Sequence, residues 1–329
     1  MKRPGYLIEK IAALDNLQLA YYKARKGKAD RVEVLDYGQR LDGNLTDLQQ
    51  QIVSGNVETG NYHYFTIYDP KMRTICAAPF GQRVLHHALM NVCHPYFEKA
   101  QIFESYATRP GKGTYAALDR ARRFQRRYQW FLKLDFRKFF DSLDHAVIIT
   151  QLHRLFKDRR LLHIFKKIID SYQVAPCRGV PIGNLTSQYF ANHYLAGMDH
   201  YIKETLRIPA YVRYMDDLVL WHDRKDFLID AGLRIREFTE GQLKLTLKPF
   251  CLNRHTHGLP FLGYLLYPGQ TRLAHRSRVR FIRKLRVYND NLRSGVWSQE
   301  EYQQHISPLI AFTEYADAKQ FRRTVMANI

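Results

Sequence analysis

Cysteine is scarce in this chain of 329 residues, and its few cysteines lie far apart. They are Cys76, Cys93, Cys177 and Cys251. None belongs to a Cys-x-x-Cys pair and no His-x-x-x-His spacing accompanies them, which argues against a zinc site. We therefore expect reduced thiols, as is usual in a cytosolic protein.

The sequence also lacks a signal peptide, a hydrophobic run long enough to cross a membrane, an internal repeat and any low-complexity tract. No Lys/Arg-rich amphipathic helix stands beside a hydrophobic anchor, so binding to an anionic membrane surface is not indicated. These absences favour a cytoplasmic protein without a membrane partner.

Acidic residues are few relative to basic ones. Lys and Arg number 51 against 31 Asp and Glu, which gives a net charge of +20. A field of this sign attracts polyanions, and the 22 Tyr and 19 Phe suit stacking on bases. A merely soluble basic protein is the alternative. With 46% hydrophobic residues, the chain is long enough for a large core and two or three lobes.

Two adjacent carboxylates interrupt a stretch with the composition of a buried strand, Tyr211-Val-Arg-Tyr-Met-Asp-Asp-Leu-Val-Leu-Trp221. Because an unpaired buried charge is expensive, Asp216 and Asp217 are expected to hold a cation or another charge. The simplest structure is a hairpin with a tight turn at Met215-Asp216. For so short a motif alone, a solvated acidic turn is the more frequent explanation.

A third carboxylate, Asp135, ends another hydrophobic strand in Trp130-Phe-Leu-Lys-Leu-Asp-Phe-Arg-Lys-Phe-Phe140, and a helix is expected just after it. Taken alone, Asp135 could equally be a helix N-cap. Together with Asp216 and Asp217 it forms a set suited to phosphoryl transfer by two divalent ions. Mg²⁺ prefers such Asp oxygens together with substrate phosphates and water.

Glycine and basic residues mark further segments. The Gly/Pro-rich loop over residues 179–188 allows the backbone to approach a ligand closely, although an ordinary helix-initiating loop has the same composition. Lys71 and Arg73 lie at the mouth of a predicted hairpin, where they are well placed for a triphosphate. Arg109 and Lys112 lie in a loop with two glycines that lacks Walker A spacing but can still contact phosphates.

Two predicted helices are strongly basic. One carries five arginines between residues 120 and 127, and the other extends from Arg272 to Arg293 and is a candidate duplex-binding lobe. Arginines so close together repel one another unless they are solvated or face a polyanion. For the first helix we favour nucleic acid only modestly over a solvated surface.

Taken in order, residues 60–268 resemble the reverse transcriptases. The matching segments are residues 135–140 for motif A, 179–188 with Asn192 for motif B, 214–217 for motif C, 243–248 for motif D, and 261–264 beside the primer grip. Several motifs in one order are far more specific than any one of them. The resemblance implies an α+β, right-hand polymerase fold with fingers, a palm with an antiparallel sheet and a helical thumb. It implies an RNA-directed DNA polymerase that uses two Mg²⁺ ions, for which Mn²⁺ can substitute.

The resemblance also implies roles for single residues. The catalytic residues would be Asp135, Asp216 and Asp217, and the metal contacts would come from these three and Phe136. The nucleotide contacts would be Lys71, Arg73, Phe140, Ile182, Gly183, Gln188 and Lys248. The nucleic-acid contacts would be Arg109, Lys112, Tyr214, Met215, Phe261, Gly263, Arg276, Arg280 and Arg283. Phe140 would crowd a ribose 2′-hydroxyl and favour dNTPs, and Lys248 would protonate pyrophosphate.

The sequence of motif B indicates a narrower group within the reverse transcriptases. Most bacterial relatives of group II intron type have Gln-Gly-x-x-x-Ser-Pro in motif B, where this chain has Ile182-Gly-Asn-Leu-Thr-Ser-Gln188. That pattern resembles reverse transcriptases of diversity-generating retroelements, as does a short chain without maturase or endonuclease segments. The family, bacterial or phage-encoded, copies a template RNA into adenine-mutagenised cDNA with help from a small basic accessory protein that is pentameric. An antiphage-defence reverse transcriptase and a non-catalytic RNA-binding protein are the alternatives.

These patterns predict four regions. They are an N-terminal helical extension over residues 1–60, fingers over 61–128, a palm over 129–268 with a fingers insertion at about 150–180, and a basic helical thumb over 269–329. Helical spacing is expected over residues 6–26, and alternation predicts a strand over residues 243–248.

Overall fold

Helices surround three small sheets in the computed structural model, which describes residues 4–68 and 72–328. The amino-terminal elements are α1 (Ile8–Ile11), α2 (Leu14–Arg25), α3 (Val32–Gln39), α4 (Leu41–Ser54), β1 (His63–Ile67), β2 (Arg73–Ala77), α5 (Phe80–Lys99) and α6 (Thr114–Arg127). The central elements are β3 (Trp130–Asp135), α7 (Phe139–Ser142), α8 (His145–Leu155), α9 (Arg159–Asp170), α10 (Leu185–Tyr194), α11 (Ala196–His200), a π-helical turn (Tyr201–Thr205), β4 (Ala210–Tyr214), β5 (Asp217–His222), α12 (Lys225–Leu243) and β6 (Cys251–Arg254). The carboxy-terminal elements are a 3₁₀ turn (His255–His257), β7 (Leu259–Phe261), β8 (Tyr264–Leu266), β9 (Thr271–Leu273), α13 (His275–Arg293), α14 (Gln299–Glu314) and α15 (Lys319–Ala327).

The strands form antiparallel pairs, as the α+β expectation requires. β1 and β2 form a two-stranded hairpin, β7, β8 and β9 form a three-stranded sheet, and a four-stranded central sheet has the order β4-β5-β3-β6. Among the described residues, no helix combines the length and the apolar character that crossing a bilayer requires.

The central sheet is covered on both faces. Leu132 and Leu134 of β3 pack into one hydrophobic cluster, whereas Phe131 on the same strand packs into another. A strand buried on both faces has a nearly continuous apolar sequence instead of a regular alternation. This explains why the few charged residues in β3, β4 and β5 stand out in the sequence.

The helical segment predicted over residues 6–26 is two helices instead of one. Ala13 has an extended backbone between α1 and α2, and the Asn16 side chain donates a 2.8 Å hydrogen bond to the Ile11 carbonyl at the end of α1. At the start of α1, the amides of Leu7 and Ile8 donate to the Asp158 carboxylate. Partners outside the segment therefore set the helix ends, and local periodicity does not show such partners.

The strand predicted over residues 243–248 is wrong. Leu243 is the last residue of α12, Lys244 has a positive φ of 52°, and the remaining residues form a loop with a single bridge between Phe136 and Leu247. Leu245 and Leu247 are nevertheless buried, as the alternation indicated. Alternating burial therefore identified the inward side of this segment but not its backbone pairing.

The N-terminal helices share their hydrophobic core with the central sheet. One continuous cluster includes Ile8 and Leu17 from the first two helices, Phe97 of α5 and Leu218 of β5. A smaller cluster, formed by residues such as Phe281 and Leu309, lies within the carboxy-terminal helices. The predicted limits of the four regions stay a prediction, but the N-terminal segment is packed into the main body of the protein.

A fully buried ion pair supports the β4–β5 hairpin. The Arg213 guanidinium and the Asp199 carboxylate are both 0% exposed, and Arg213 Nε lies 2.8 Å from Asp199 Oδ1. Arg213 also donates to Asn192 Oδ1 at 2.7 Å and to the Met215 carbonyl at 3.1 Å. The Tyr211 hydroxyl donates to Asp199 at 2.7 Å. The pair is therefore satisfied by several hydrogen bonds, as a buried charge must be.

We predict that Arg213→Met lowers the free energy of unfolding by about 3–5 kcal/mol, because it leaves the Asp199 charge buried without its partner. Urea-induced unfolding followed by circular dichroism measures this change. Arg224→Met is the matched control, since the Arg224–Asp226 pair is 70% and 69% exposed and its loss should barely move the midpoint. Equal effects of the two variants would contradict the prediction.

Candidate active site

The strand register brings the carboxylates together. Asp135 at the end of β3 is directly opposite Asp217 at the start of β5, and opposed residues of an antiparallel pair have Cα atoms roughly 4.5–5.5 Å apart. Asp216 lies in the two-residue turn between β4 and β5, where Met215 has a φ of 55°. Asp135 and Asp217, 82 positions apart in sequence, thus meet at one end of the central sheet because β3 pairs with β5.

Two lysines lie against these carboxylates. Lys133 Nζ is 3.0 Å from each of the Asp217 carboxylate oxygens, and Lys248 Nζ is 2.5 Å from Asp135 Oδ2. Lys248 is held there by its backbone, because its amide donates to the Asp135 carbonyl at 2.8 Å and Arg137 donates to Thr246 at 2.9 Å. Two ammonium groups therefore neutralise two of the three carboxylates.

Two carboxyl groups of the cluster, those of Asp216 and Asp217, have raised pKa values. Burial raises the pKa of Asp216 above its usual value, and the neighbouring charge of Asp135 raises it further, while Arg73 and Lys248 oppose the increase. Burial also raises the pKa of Asp217 to about 6, against the opposing effect of Lys133. Burial and mutual repulsion thus outweigh the nearby positive charges, so the cluster has unmet demand for cations.

The donor set fits a hard divalent cation, although it is not a preassembled cage. Over residues 4–68 and 72–328, no three His, Cys, Asp or Glu side chains are grouped so that they could hold a metal ion. However, Asp217 Oδ1 is buried and accepts no hydrogen bond, even though Lys133 Nζ is close to it. Carboxylate oxygens with unmet demand are the ligands that Mg²⁺ prefers.

The predicted loop over residues 179–188 ends at residue 184, because α10 begins at Leu185, and this shorter loop packs against the β1–β2 hairpin. The Cys76 amide donates to the Ile182 carbonyl at 2.8 Å, and the Ala78 amide donates to Asn184 Oδ1 at 3.2 Å. Gly183 has a φ of 120°, and a Cβ atom there would lie 2.8 Å from Ile75 Cγ2. Glycine is therefore required both by backbone conformation and by close packing.

Other predicted nucleotide contacts lie around this loop. Arg73 begins β2 and its charge acts on Asp216, while Lys71 lies outside the described residues. The half-buried Phe140 accepts a hydrogen bond from the Val180 amide through its carbonyl, at 3.0 Å. Gln188 accepts a 3.4 Å hydrogen bond from the Thr108 hydroxyl.

Arg109, predicted to contact nucleic acid, is engaged in contacts within the protein. Its guanidinium is 7% exposed, pairs with Glu98, and donates to the carbonyls of Ile102 and Ser105. These bonds use the donors that a phosphate would need. Lys112 is half-buried, and its ammonium lies over the Phe103 ring, 3.2 Å from the centroid.

Two residues predicted beside the primer grip are also internal. Phe261 is 1% exposed and packs in the second hydrophobic cluster, so its side chain presents almost no surface to a nucleic acid. Gly263 has a φ of 90° and lies against the carboxy-terminal helices, since a Cβ there would be 3.1 Å from both Phe312 and Ser277. The turn between β7 and β8 therefore connects the central part to α13 and α14.

The remaining predicted contacts lie on more accessible elements. Tyr214 is half-buried and accepts a hydrogen bond from Thr114 at 3.2 Å, and Met215 is half-buried in the turn. On α13, Arg276 and Arg283 are exposed and Arg280 is half-buried. The Arg280 guanidinium lies over the Phe312 ring, 5.5 Å from the centroid.

Sequence reasoning missed two charged residues that support the site, Lys133 and Arg213. Each interrupts a strand that is otherwise apolar, which is the same signal that identified Asp216 and Asp217. A positive charge in such a position indicates an internal anionic partner just as a negative charge indicates a cation.

Comparison with known proteins agrees with the resemblance to reverse transcriptases. A family model described as "Reverse transcriptase (RNA-dependent DNA polymerase)" matches residues 68–266. The protein YkfC of Escherichia coli is 23% identical over 308 residues, which cover 78% of this chain and 81% of YkfC. The group II intron-encoded protein LtrA of Lactococcus lactis is 23% identical over 138 residues, which cover 40% of this chain and 23% of LtrA.

The fold is also similar to a solved structure. Telomerase from Candida tropicalis, in complex with a fragment of telomeric RNA, superposes with a TM-score of 0.52 at 11% identity and covers 86% of this chain and 58% of that chain. This likeness concerns the fold alone, and it confirms the predicted right-hand polymerase architecture. Several of the matched relatives are much longer proteins, of which this chain spans a quarter or less.

We predict that Asp217→Asn stabilises the metal-free protein at pH 8 by about 1 kcal/mol, because a carboxyl group with a raised pKa is costly to ionise in the folded state. Ionisation of Asp217 lowers the free energy of unfolding. This cost is absent below pH 3.8, the ordinary pKa, and is complete above about pH 6. The stabilisation should therefore appear between these values and stay constant at higher pH.

Unfolding in the presence of a chelator, at pH 8 and pH 4, measures this difference. Asp230→Asn is the control, since the side chain of Asp230 is 68% exposed in an ion pair with Arg234 on α12. A variant at position 217 that is less stable than the wild type at pH 8 would refute the prediction.

Proposed function

Because the chain belongs to the reverse transcriptase (RNA-dependent DNA polymerase) family, we propose that it copies an RNA template into DNA from dNTPs. The observation that carries this proposal is the β3–β5 register, which sets Asp135 opposite Asp217 and beside Asp216. A family member that had lost catalysis would have no reason to maintain three mutually repelling carboxylates at one sheet end.

The three carboxylates would hold the divalent ions, together with the backbone of Phe136. Two Mg²⁺ ions, or Mn²⁺ in their place, would activate the primer hydroxyl and neutralise charge on the pyrophosphate. Asp135 and Asp216 would be the principal ligands, with Asp217 in support. Paired strands and a tight turn carry the three carboxylates, and these elements would hold the carboxylates rigidly.

Neighbouring side chains would bind the nucleotide. Lys248, which lies beside Asp135, would give a proton to the pyrophosphate oxygen. Arg73 would contact the triphosphate together with Lys71. Phe140 would lie against the sugar and exclude a ribose 2′-hydroxyl. Ile182, Gly183 and Gln188 would border the nucleotide and the templating base.

The partners would be template RNA, the cDNA product and dNTPs. The net charge of +20 supplies a field that attracts both strands. The exposed Arg276 and Arg283 on α13 would contact the duplex backbone, with Arg280 between them, and Lys112 and Tyr214 would contribute near the active site.

We further propose that the enzyme belongs to a diversity-generating retroelement, in which mutagenised cDNA replaces part of a target gene. The support is the segment Ile182-Gly183-Asn184, where most group II intron relatives have Gln-Gly. An apolar Ile182 cannot donate a hydrogen bond at this position, so it would hold the base pair less firmly. A small basic accessory protein, pentameric in that family, would be the protein partner in the cytoplasm.

We predict that Asp216→Asn abolishes primer extension on an RNA template with Mg²⁺ and dNTPs, by at least about 10³-fold, because a principal metal ligand is lost. Gel analysis of extended primers measures the effect. The surface variant Asp230→Asn should retain full activity. Retained synthesis by Asp216→Asn would defeat the site assignment, and a wild type that binds RNA without extending a primer would favour the non-catalytic RNA-binding alternative.

We predict that Ile182→Gln lowers misincorporation opposite template adenine, because the new amide group can hold the base pair in place. Sequencing of cDNA made from the RNA of its own locus measures the error spectrum. The matched control is Val174→Gln, at an exposed position of the preceding segment. Wild-type errors that do not cluster at adenines would reject the diversity-generating role and favour the defence role, while an unchanged spectrum in Ile182→Gln would reject only the explanation given for Ile182.

A further inference from the structure

Lys133 connects two parts of the protein through one ammonium group. It lies on β3 two residues before Asp135, so both side chains lie on the same face of the central sheet. Its Nζ lies 3.0 Å from both carboxylate oxygens of Asp217 and donates to the Pro260 carbonyl at 2.7 Å. Pro260 belongs to β7, which is part of the three-stranded sheet.

Lys133 joins two sheets whose strands are not paired with each other. The strands of the central sheet and those of the three-stranded sheet form separate hydrogen-bonded sheets. A second polar connection lies at the other end of β5, where Trp221 donates to Gln125 and Gln125 donates to the Leu266 carbonyl of β8. Lys133 therefore fixes the three-stranded sheet at the carboxylate end, and Gln125 fixes it at the far end.

Lysine is chemically suited to this position. Its ammonium group has three donors and a full charge, and here it meets a carboxylate on one side and a backbone carbonyl on the other. The side chains of Lys133 and Asp217 are only 20% and 25% exposed. Limited solvent makes the loss of Lys133 costly, because the buried Asp217 carboxylate would then lack its counter-ion.

We propose that Lys133 is a positioning residue that fixes the β7–β8 hairpin relative to the catalytic carboxylates while serving as the internal counter-ion of Asp217. This inference rests on the proposed polymerase function and on the resemblance of residues 261–264 to the segment beside the primer grip. Lys133 itself need not touch the substrate. It sets the distance between the segment that supports the primer and the carboxylates that hold the ions.

Loss of this connection should affect turnover more than binding. A displacement of about 1 Å at a reacting end can reduce the rate by about 10²-fold. Affinity for the primer–template duplex depends mainly on phosphate contacts elsewhere. We therefore expect Lys133→Met to lower kcat for primer extension about tenfold or more, with the Kd for primer–template changed less than about twofold.

Conservative and matched variants separate charge from position. Lys133→Arg retains the charge and should restore part of kcat. Lys133→Gln lacks the charge but keeps an amide donor for the Pro260 carbonyl, so it should fall between Lys133→Met and the wild type. Lys225→Met is the control, because it removes a lysine that lies over the Trp130 ring at the opposite end of β3; it should extend primers at the wild-type rate.

Hydrogen exchange provides a readout that is independent of catalysis. In full-length protein with a chelator present, Lys133→Met should accelerate amide exchange over residues 259–266. Asp217→Asn should not, because Lys133 can still donate to Pro260. If Lys133 acted only through its charge, amide exchange over residues 259–266 would be similar in Lys133→Met and in the wild type.

The outcomes distinguish this inference from the proposed function. A wild type that does not extend a primer defeats the proposed function, while the exchange comparison still decides whether Lys133 fixes the hairpin. A wild type that extends primers, together with an unchanged kcat or unchanged exchange in Lys133→Met, overturns the inference alone. Should Lys133→Met fail to fold, the same comparisons are made with Lys133→Gln, and wild-type kcat in that variant likewise overturns it.

Discussion

The pairing of β3 with β5 places Asp135 opposite Asp217 and leaves three acidic residues at one end of a sheet that is apolar on both faces. Negative charges held this close repel one another and resist burial. The surrounding structure compensates by bringing Lys133 to Asp217 and Lys248 to Asp135. The raised pKa values of Asp216 and Asp217 show that this compensation is incomplete, which gives the cluster its capacity for further cations.

Distant elements hold this arrangement in place. The buried Arg213 joins the turn at Met215 to Asn192 of α10 and Asp199 of α11, so the position of the turn depends on two helices. The loop after α12 is bonded to the end of β3 and carries Lys248. On another side, the β1–β2 hairpin is bonded to the loop that contains Ile182 and Asn184. Separate sets of polar contacts thus hold the segments that carry the sequence motifs in place.

The sequence predicted the main strands, the hairpin turn and the residues of the acidic cluster because charges in apolar strands are rare and informative. It was wrong about the strand over residues 243–248, and it did not show that Arg109 and Phe261 have partners inside the protein. Alternating leucines indicate an inward face but not a backbone partner, and a loop arginine has the same appearance whether it binds a phosphate or, as here, Glu98. Phe261 is a core residue, since its neighbours come from segments far away in the chain.

By itself, the sequence determined that this is a basic α+β protein of reverse transcriptase type with acidic residues at two strand ends. These features depend on residue type and local order, which the sequence contains directly. Only the tertiary structure decided which cation faces each carboxylate, that Arg213 is internal, and that Lys133 connects two sheets. Such facts depend on distances between segments many residues apart, and these distances are fixed by strand register and core packing instead of by local preference.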